Sequence, residues 1–449
     1  MHTESAHNFL KYEAKALLQR LEQVKPFALH LPMVAAAAPS VPAQAAIESF
    51  LSDGRRSLRL LIARYIAWLE GPGKSATPAE GQRRFVLLRL RFLTVTTQFE
   101  IFADALSQRS QHGYGEWLGG LDVAAGDALE LPGTPYEAPP LICYLDRGHG
   151  AAIRRARTRL PGGGDNPVGI IRIPRERMVG SGISSSLVHE VGHQGAALLD
   201  LVDPLREKLR ARQTGRERAV ASAWSSYAGW ISEIIADFWS VARLGIASTM
   251  GLMSVVALPR PFVFRVTPGE VHPTPWIRVK ISCAIGRALF PDPQWDRAGA
   301  MWEALYPLEG LDTERRVTLA AIESVLPEFV RLLIGHRPEA LRGRTLGEAM
   351  PLDEVAPHRL RQIYAHSRSR PEAMAELDPM VALAAVGQAK FDGAITADQE
   401  SRVVVRLLRY WALKSSVDSS LACAATPRMA SRAARGALRS RAMAMAAAG

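Results

Sequence analysis

Only three cysteines occur in 449 residues, Cys143, Cys283 and Cys423. They are far apart, odd in number and form no CxxC pair, so they support neither a disulfide framework nor a cysteine-built metal site. Reduced thiols in a cytoplasmic protein are the expectation. The chain also lacks any run of 18 uncharged apolar residues. The nearest, Leu244 to Pro259, is too short to cross a bilayer and reads as a buried helix, so stable membrane insertion is not expected. Residues 28–46 (ALHLPMVAAAAPSVPAQAA) have the small residues of a secretion signal. They sit behind a charged, helix-patterned segment and contain Pro32, Pro39 and Pro42, so they read as a connector instead.

Acidic residues are missing from the last 22 positions, which hold Arg428, Arg432, Arg435, Arg439 and Arg441. Without those five, the net charge of +11 falls to +6, spread over the rest of the chain. That is a mildly basic surface with no stripe of the kind nucleic acid requires, and no nucleic-acid partner is expected.

What is present is mostly helical pattern. Residues 8–24 place Leu10, Ala14, Leu17, Leu21 and Val24 at three- and four-residue spacing. Residues 45–70 and 83–107 continue in the same way on either side of a Gly/Pro/Ser stretch at 71–81. Residues 1–112 thus form a helical region, and the Gly- and Pro-rich segment 113–139 reads as a linker. Leu141–Leu145 and Val168–Ile173 have the length and composition of strands. Between them, Ala151–Leu160 reads as a charged helical piece. Helices are further expected near 184–201, 219–244, 276–290, 296–305, 313–335 and 397–413. These divide into a core at 140–290 and a C-terminal helical region at 291–413. The basic tail, 414–449, has too few large apolar groups to pack and is expected to be disordered. His336, His358 and His366 have no acidic partner at ligand spacing and read as exposed.

Two segments carry the chemistry. His189-Glu190-Val191-Gly192-His193 puts two imidazoles at i and i+4 on one helix face. Forty residues on, Glu233 and Asp237 repeat that spacing with carboxylates. Two His and one Glu with an open fourth position make a catalytic Zn²⁺ site, and Glu190 borders the ion from between the two His, placed to move protons on an activated water. Glu233 is the natural third ligand, because its surroundings (Trp230 to Trp239) are apolar and a bare carboxylate is costly to bury there. Asp237 is placed to accept the N–H of a metal-bound His. The plainer readings are a surface helix with solvated His189 and His193, and a Glu233/Asp237 face paired with Arg243. Gly192 and Gly195 would let a neighbouring backbone or substrate strand come close. The Gly-rich segments 148–150 and 162–165 lack the spacing of a phosphate loop.

An HExxH helix followed by a separate helix bearing ExxxD resembles the gluzincin branch of zinc metallopeptidases, to which thermolysin belongs. The resemblance covers roughly residues 140–290, and the motif residues alone match clearly. It implies that His189, His193 and Glu233 bind zinc, that Glu190 is the general base, and that Asp237 orients His189. It further implies a downstream His, Tyr or Arg at the oxyanion, for which His272, Arg278 and Tyr227 are candidates. The strand near 168–173 would be the edge along which a peptide substrate adds. Two departures stand out: the 39 residues between His193 and Glu233 exceed the spacing in thermolysin-like enzymes, and Ser232 stands where an Asn precedes the Glu.

The expected fold is α+β and mainly helical, a zincin-like metalloprotease core with helical flanking segments. The expected activity is zinc-dependent hydrolysis of a peptide or protein. The rivals are a regulatory protein that keeps the zinc fold as scaffold or sensor, and an effector-type protease with one protein target.

Overall fold

The computed structural model describes residues 2–446 apart from 24–31, 112, 134–135, 149, 162, 178–179, 181, 268, 369 and 371, and gives residues 2 and 424–446 as backbone alone. Residues 28–31 of the connector and His149 therefore lie outside the described residues. Most of the described residues are helical, and among them there is one three-stranded sheet. Helices α1 (His2–Gln23), α2 (Val41–Glu70) and α3 (Pro78–Ser107) pack together first. Ser40 and Thr77 start α2 and α3, each accepting a backbone N–H three residues on, with a proline inside the first turn.

The sheet comprises β1 (Leu141–Asp146), β2 (Ala152–Arg154) and β3 (Gly169–Pro174), in the order β1-β3-β2. β1 runs parallel to β3, pairing Cys143 with Ile171, while β2 runs antiparallel, pairing Ile153 with Ile171. Both faces are covered. Ile142 and Ile170 join the core of α1–α3, and Cys143, Leu145, Ile171 and Ile173 join the larger core behind. Burial on two sides is why β1 and β3 read as unbroken apolar runs.

Two expectations for this region are corrected here. The strand at 168–173 is central, so it has no free edge to offer a peptide; β1 and β2 are the edge strands. Ala151–Leu160 forms β2 and a turn, and is not helical, because pairing with β3 outweighs the helix preference of its Ala and Arg residues.

The larger core is built by α4 (Tyr114–Leu129), α5 (Gly182–Leu198), α6 (Val202–Ala211), α7 (Arg218–Leu244) and α8 (Ile246–Val256). Then come α9 (Pro275–Leu289), α10 (Gln294–Leu305), α11 (Thr313–Ser324) and α12 (Leu326–Ile334). The chain closes with α13 (Pro357–Ser367), α14 (Pro379–Phe391) and α15 (Ala397–Ala446). Among the described residues no helix is long and apolar enough to cross a membrane.

Further differences from expectation have physical causes. The supposed linker 113–139 holds the buried helix α4, whose Gly119 and Gly120 are packing residues: a Cβ on either would strike Ala36 O or the Leu408 backbone. The tail at 414–449 continues α15 as helix to Ala446, in keeping with the high helix propensity of Ala, Arg and Met. The side chains of its arginines lie outside the described residues. His336 is buried and shares a 3.0 Å contact with Lys208 Nζ, whereas His358 and His366 are exposed.

The contact that matters most lies between α5 and α7. A Cβ on Gly192 would stand 2.8 Å from Ala236 Cα, and one on Gly195 would meet the Trp239 ring. Gly192→Val is therefore expected to cost about 1–3 kcal/mol through overpacking. Denaturant unfolding of the two proteins measures this, and equal stability would show that the helices do not pack so closely.

Candidate metal centre

The close approach of α5 and α7 brings the two motifs face to face. His189 and His193 project from α5, and Glu233 projects from α7 between them. Glu233 Oε2 lies 3.3 Å from His189 Nε2, and Oε1 lies 3.4 Å from His193 Nε2. Ligands on a tetrahedral ion with bonds of about 2.0–2.2 Å stand about 3.3–3.6 Å apart, so these separations fit one small cation. The three ligand atoms lie within 4.8 Å of one another and could hold a metal ion.

Behind the ligands runs a chain of charged hydrogen bonds. His189 Nδ1 donates to Asp237 Oδ1 at 2.9 Å, which leaves Nε2 to face Glu233. Arg278, from α9, grips Asp237 with two nitrogens, Nε to Oδ2 at 2.7 Å and Nη2 to Oδ1 at 3.0 Å. The same Nη2 reaches Glu233 Oε2 at 3.3 Å. Arg278 thus sits behind the carboxylates as a positioning residue, where an oxyanion contact had been expected. Arg243, the alternative partner for Asp237, lies instead on the Asp127 backbone carbonyl at 2.6 Å.

The remaining candidates divide clearly. His272 lies at the mouth of the site, 56% exposed, with Nε2 3.5 Å from Glu233 Oε2 and Nδ1 3.3 Å from Glu270 Oε1. Tyr227 does not belong to the site: it is fully buried, stacks on Phe329 and donates its hydroxyl to Ile322 O at 3.2 Å. Trp224, Trp230 and Trp239 are core residues. The serines at 184–186 fall within the first turns of α5, where Ser185 Oγ donates to Ser248 O at 3.0 Å. Ser181 lies outside the described residues. Sequence reading missed the Arg278–Asp237 pair and the Glu270 partner of His272. The second was legible in principle, since Glu270 and His272 are two apart in a short loop.

Burial sets the electrostatics. It opposes charge on His189, but the bonds to Asp237 and Glu233 outweigh it and lift this imidazole to about 9. Burial and the neighbouring His189 charge push His193 down to about 4. Glu233 is also opposed by burial, yet His189 and Arg278 hold it at about 2, and Asp237 is held well below the usual carboxylate range in the same way. Glu190 goes the other way: burial raises it, only partly offset by His189. Among Glu190, Glu233 and Asp237, the Arg278 guanidinium bonds to the last two.

Two cavities meet at this point, of about 360 Å³ and about 210 Å³, and both are bordered by His189, Glu190, Glu233 and His272. The larger also touches Ala152 and Ile153, so the β2 edge faces the site. The smaller extends between Ser185, Ser240, Ser248, Leu252 and Val255.

A metal must displace the proton that His189 carries below pH 9. Divalent metal binding at pH 7 is expected to release about one proton per chain, with affinity rising until the pH passes about 9. Calorimetry in buffers of different ionisation enthalpy measures this, and binding without proton release would contradict it. Asp237→Asn is expected to weaken metal binding by about 10- to 100-fold. Unchanged affinity would mean that the His189 tautomer needs no partner. Comparison of the chain with family models, with curated proteins and with solved structures gives no match, and the reading of the site rests on its own geometry.

Proposed function

We propose that the protein is a zinc-dependent metallopeptidase of gluzincin type, with a zincin-like core, that hydrolyses a peptide or protein without a covalent intermediate. One observation carries this reading: His189, His193 and Glu233 converge at tetrahedral-ion distances, with a buried Glu190 carboxyl beside them. Zinc, when bound, would supply a Lewis acid that makes water nucleophilic near neutral pH and polarises the substrate carbonyl.

The chain's own residues would do the rest. Glu190 would take the proton from the attacking water and deliver it to the amine as the C–N bond breaks. Its raised pKa suits both tasks, because a base poised nearer neutrality also returns the proton readily. The Ile153 backbone N–H favours the ionised carboxylate and offsets part of the effect of burial. His272, tethered by Glu270 through Nδ1, would present Nε2 to the oxyanion. An extended peptide would add along β2, in the place first assigned to residues 168–173.

A scaffold or sensor has no use for Glu190, which argues for turnover. The purified protein is expected to hold about one zinc per chain and to cleave members of a peptide library. Glu190→Gln should keep the metal and lose about 10²- to 10⁴-fold in rate. Zinc-free protein, or equal cleavage by both forms, would overturn the proposal.

A further inference from the structure

Arg155 follows directly on β2 and lines the same cavity of about 360 Å³ as His189, His193, Glu233 and His272. It is exposed, and among the described residues it makes no ion pair. The other fixed charges lining this cavity are Glu190 and Glu233, both committed to the hydrolytic site. Arg278, nearby, is taken up by Asp237 and Glu233. Arg155 is thus a cation beside the reaction centre with no ion-pair partner among the described residues.

Its mounting is rigid. The buried Asn166 side chain donates to the carbonyls of Arg154 and Arg155 at 3.2 and 3.1 Å. Thr158 Oγ1 donates to the Arg155 carbonyl at 2.6 Å. The next N–H, of Ala156, donates to Gln194 Oε1 at 2.8 Å. Gln194 is buried and follows the ligand His193 directly, so the backbone under Arg155 is tied to the metal-bearing helix. A side chain needed only to keep a strand edge from pairing requires no such anchoring. A planar guanidinium carried on an anchored backbone beside a reactive centre suits a carboxylate, which it can engage with two hydrogen bonds.

We propose that the cleft takes substrates bearing a carboxylate close to the scissile bond and that Arg155 binds it. This rests on the hydrolytic reading above. The carboxylate is either an Asp or Glu side chain of the substrate or its free C-terminus.

The test uses the full-length, zinc-loaded protein and two peptide sets. The first is blocked at both ends and carries Asp or Glu, Asn or Gln, or Lys at each position around the cleaved bond. The second compares free and amidated C-termini on one neutral sequence. The wild type is expected to favour the carboxylate-bearing member of at least one set by about 10- to 100-fold in kcat/KM, the range of a charged hydrogen bond. Arg155→Ala should abolish that preference and Arg155→Glu should shift it towards Lys, with zinc content unchanged in both. Arg154→Ala, at the exposed neighbour, should leave the preference intact. Preference in the first set assigns the side chain, and preference in the second assigns the terminus. Cleavage by the wild type without such a preference, or a preference that survives Arg155→Ala, overturns this inference alone. No cleavage of any peptide by zinc-loaded wild type overturns the hydrolytic reading and this inference with it.

Discussion

The site depends on how closely two helices can lie. Gly192 and Gly195 let α5 rest directly on Ala236 and Trp239 of α7, and at that separation Glu233 reaches both imidazoles. A side chain at either glycine would push α7 outward, and carboxylate and imidazole would no longer meet within the span of one small ion. Trp239 serves the contact twice: its ring packs on Gly195, and its indole N–H donates to Ala128 O at 2.9 Å, which fastens α7 to α4. The packing of the core and the geometry of the site are therefore one constraint.

That closeness carries an electrostatic cost. Several ionisable groups are withdrawn from water together, and each must be answered by another. Arg278 answers Asp237 with two hydrogen bonds, Asp237 answers His189, and Glu233 faces both imidazoles. The order of this chain fixes direction as well as charge. With Nδ1 of His189 occupied by Asp237, Nε2 is the nitrogen left for a ligand. His189 in its protonated form bridges the two carboxylates, so a metal bound there would compete with that proton for the same place.

Much of this was legible in the sequence, because it is local. The i, i+4 pairs His189/His193 and Glu233/Asp237 need only helical periodicity to share a face, and the apolar run around Glu233 implied that its charge required a partner. What was not legible depended on distant segments. Ala151–Leu160 is rich in helix-forming Ala and Arg, and only its pairing with β3 makes part of it a strand. Residues 113–139 resemble a linker by composition, yet Gly119 and Gly120 are small because Ala36 and Leu408 press against them. Arg278 reads from the sequence as a candidate oxyanion contact, and nothing in its neighbourhood shows that α9 crosses behind Asp237. His336 sits in a polar stretch and is buried because α6 lies over it through Lys208.

The central claim is that His189, His193 and Glu233 hold a single ion. Anomalous diffraction at the zinc edge from crystals of the zinc-loaded protein tests it most directly. The account predicts one strong peak about 2.0–2.2 Å from His189 Nε2, His193 Nε2 and a Glu233 carboxylate oxygen. A peak elsewhere, or none between these three side chains, would contradict it.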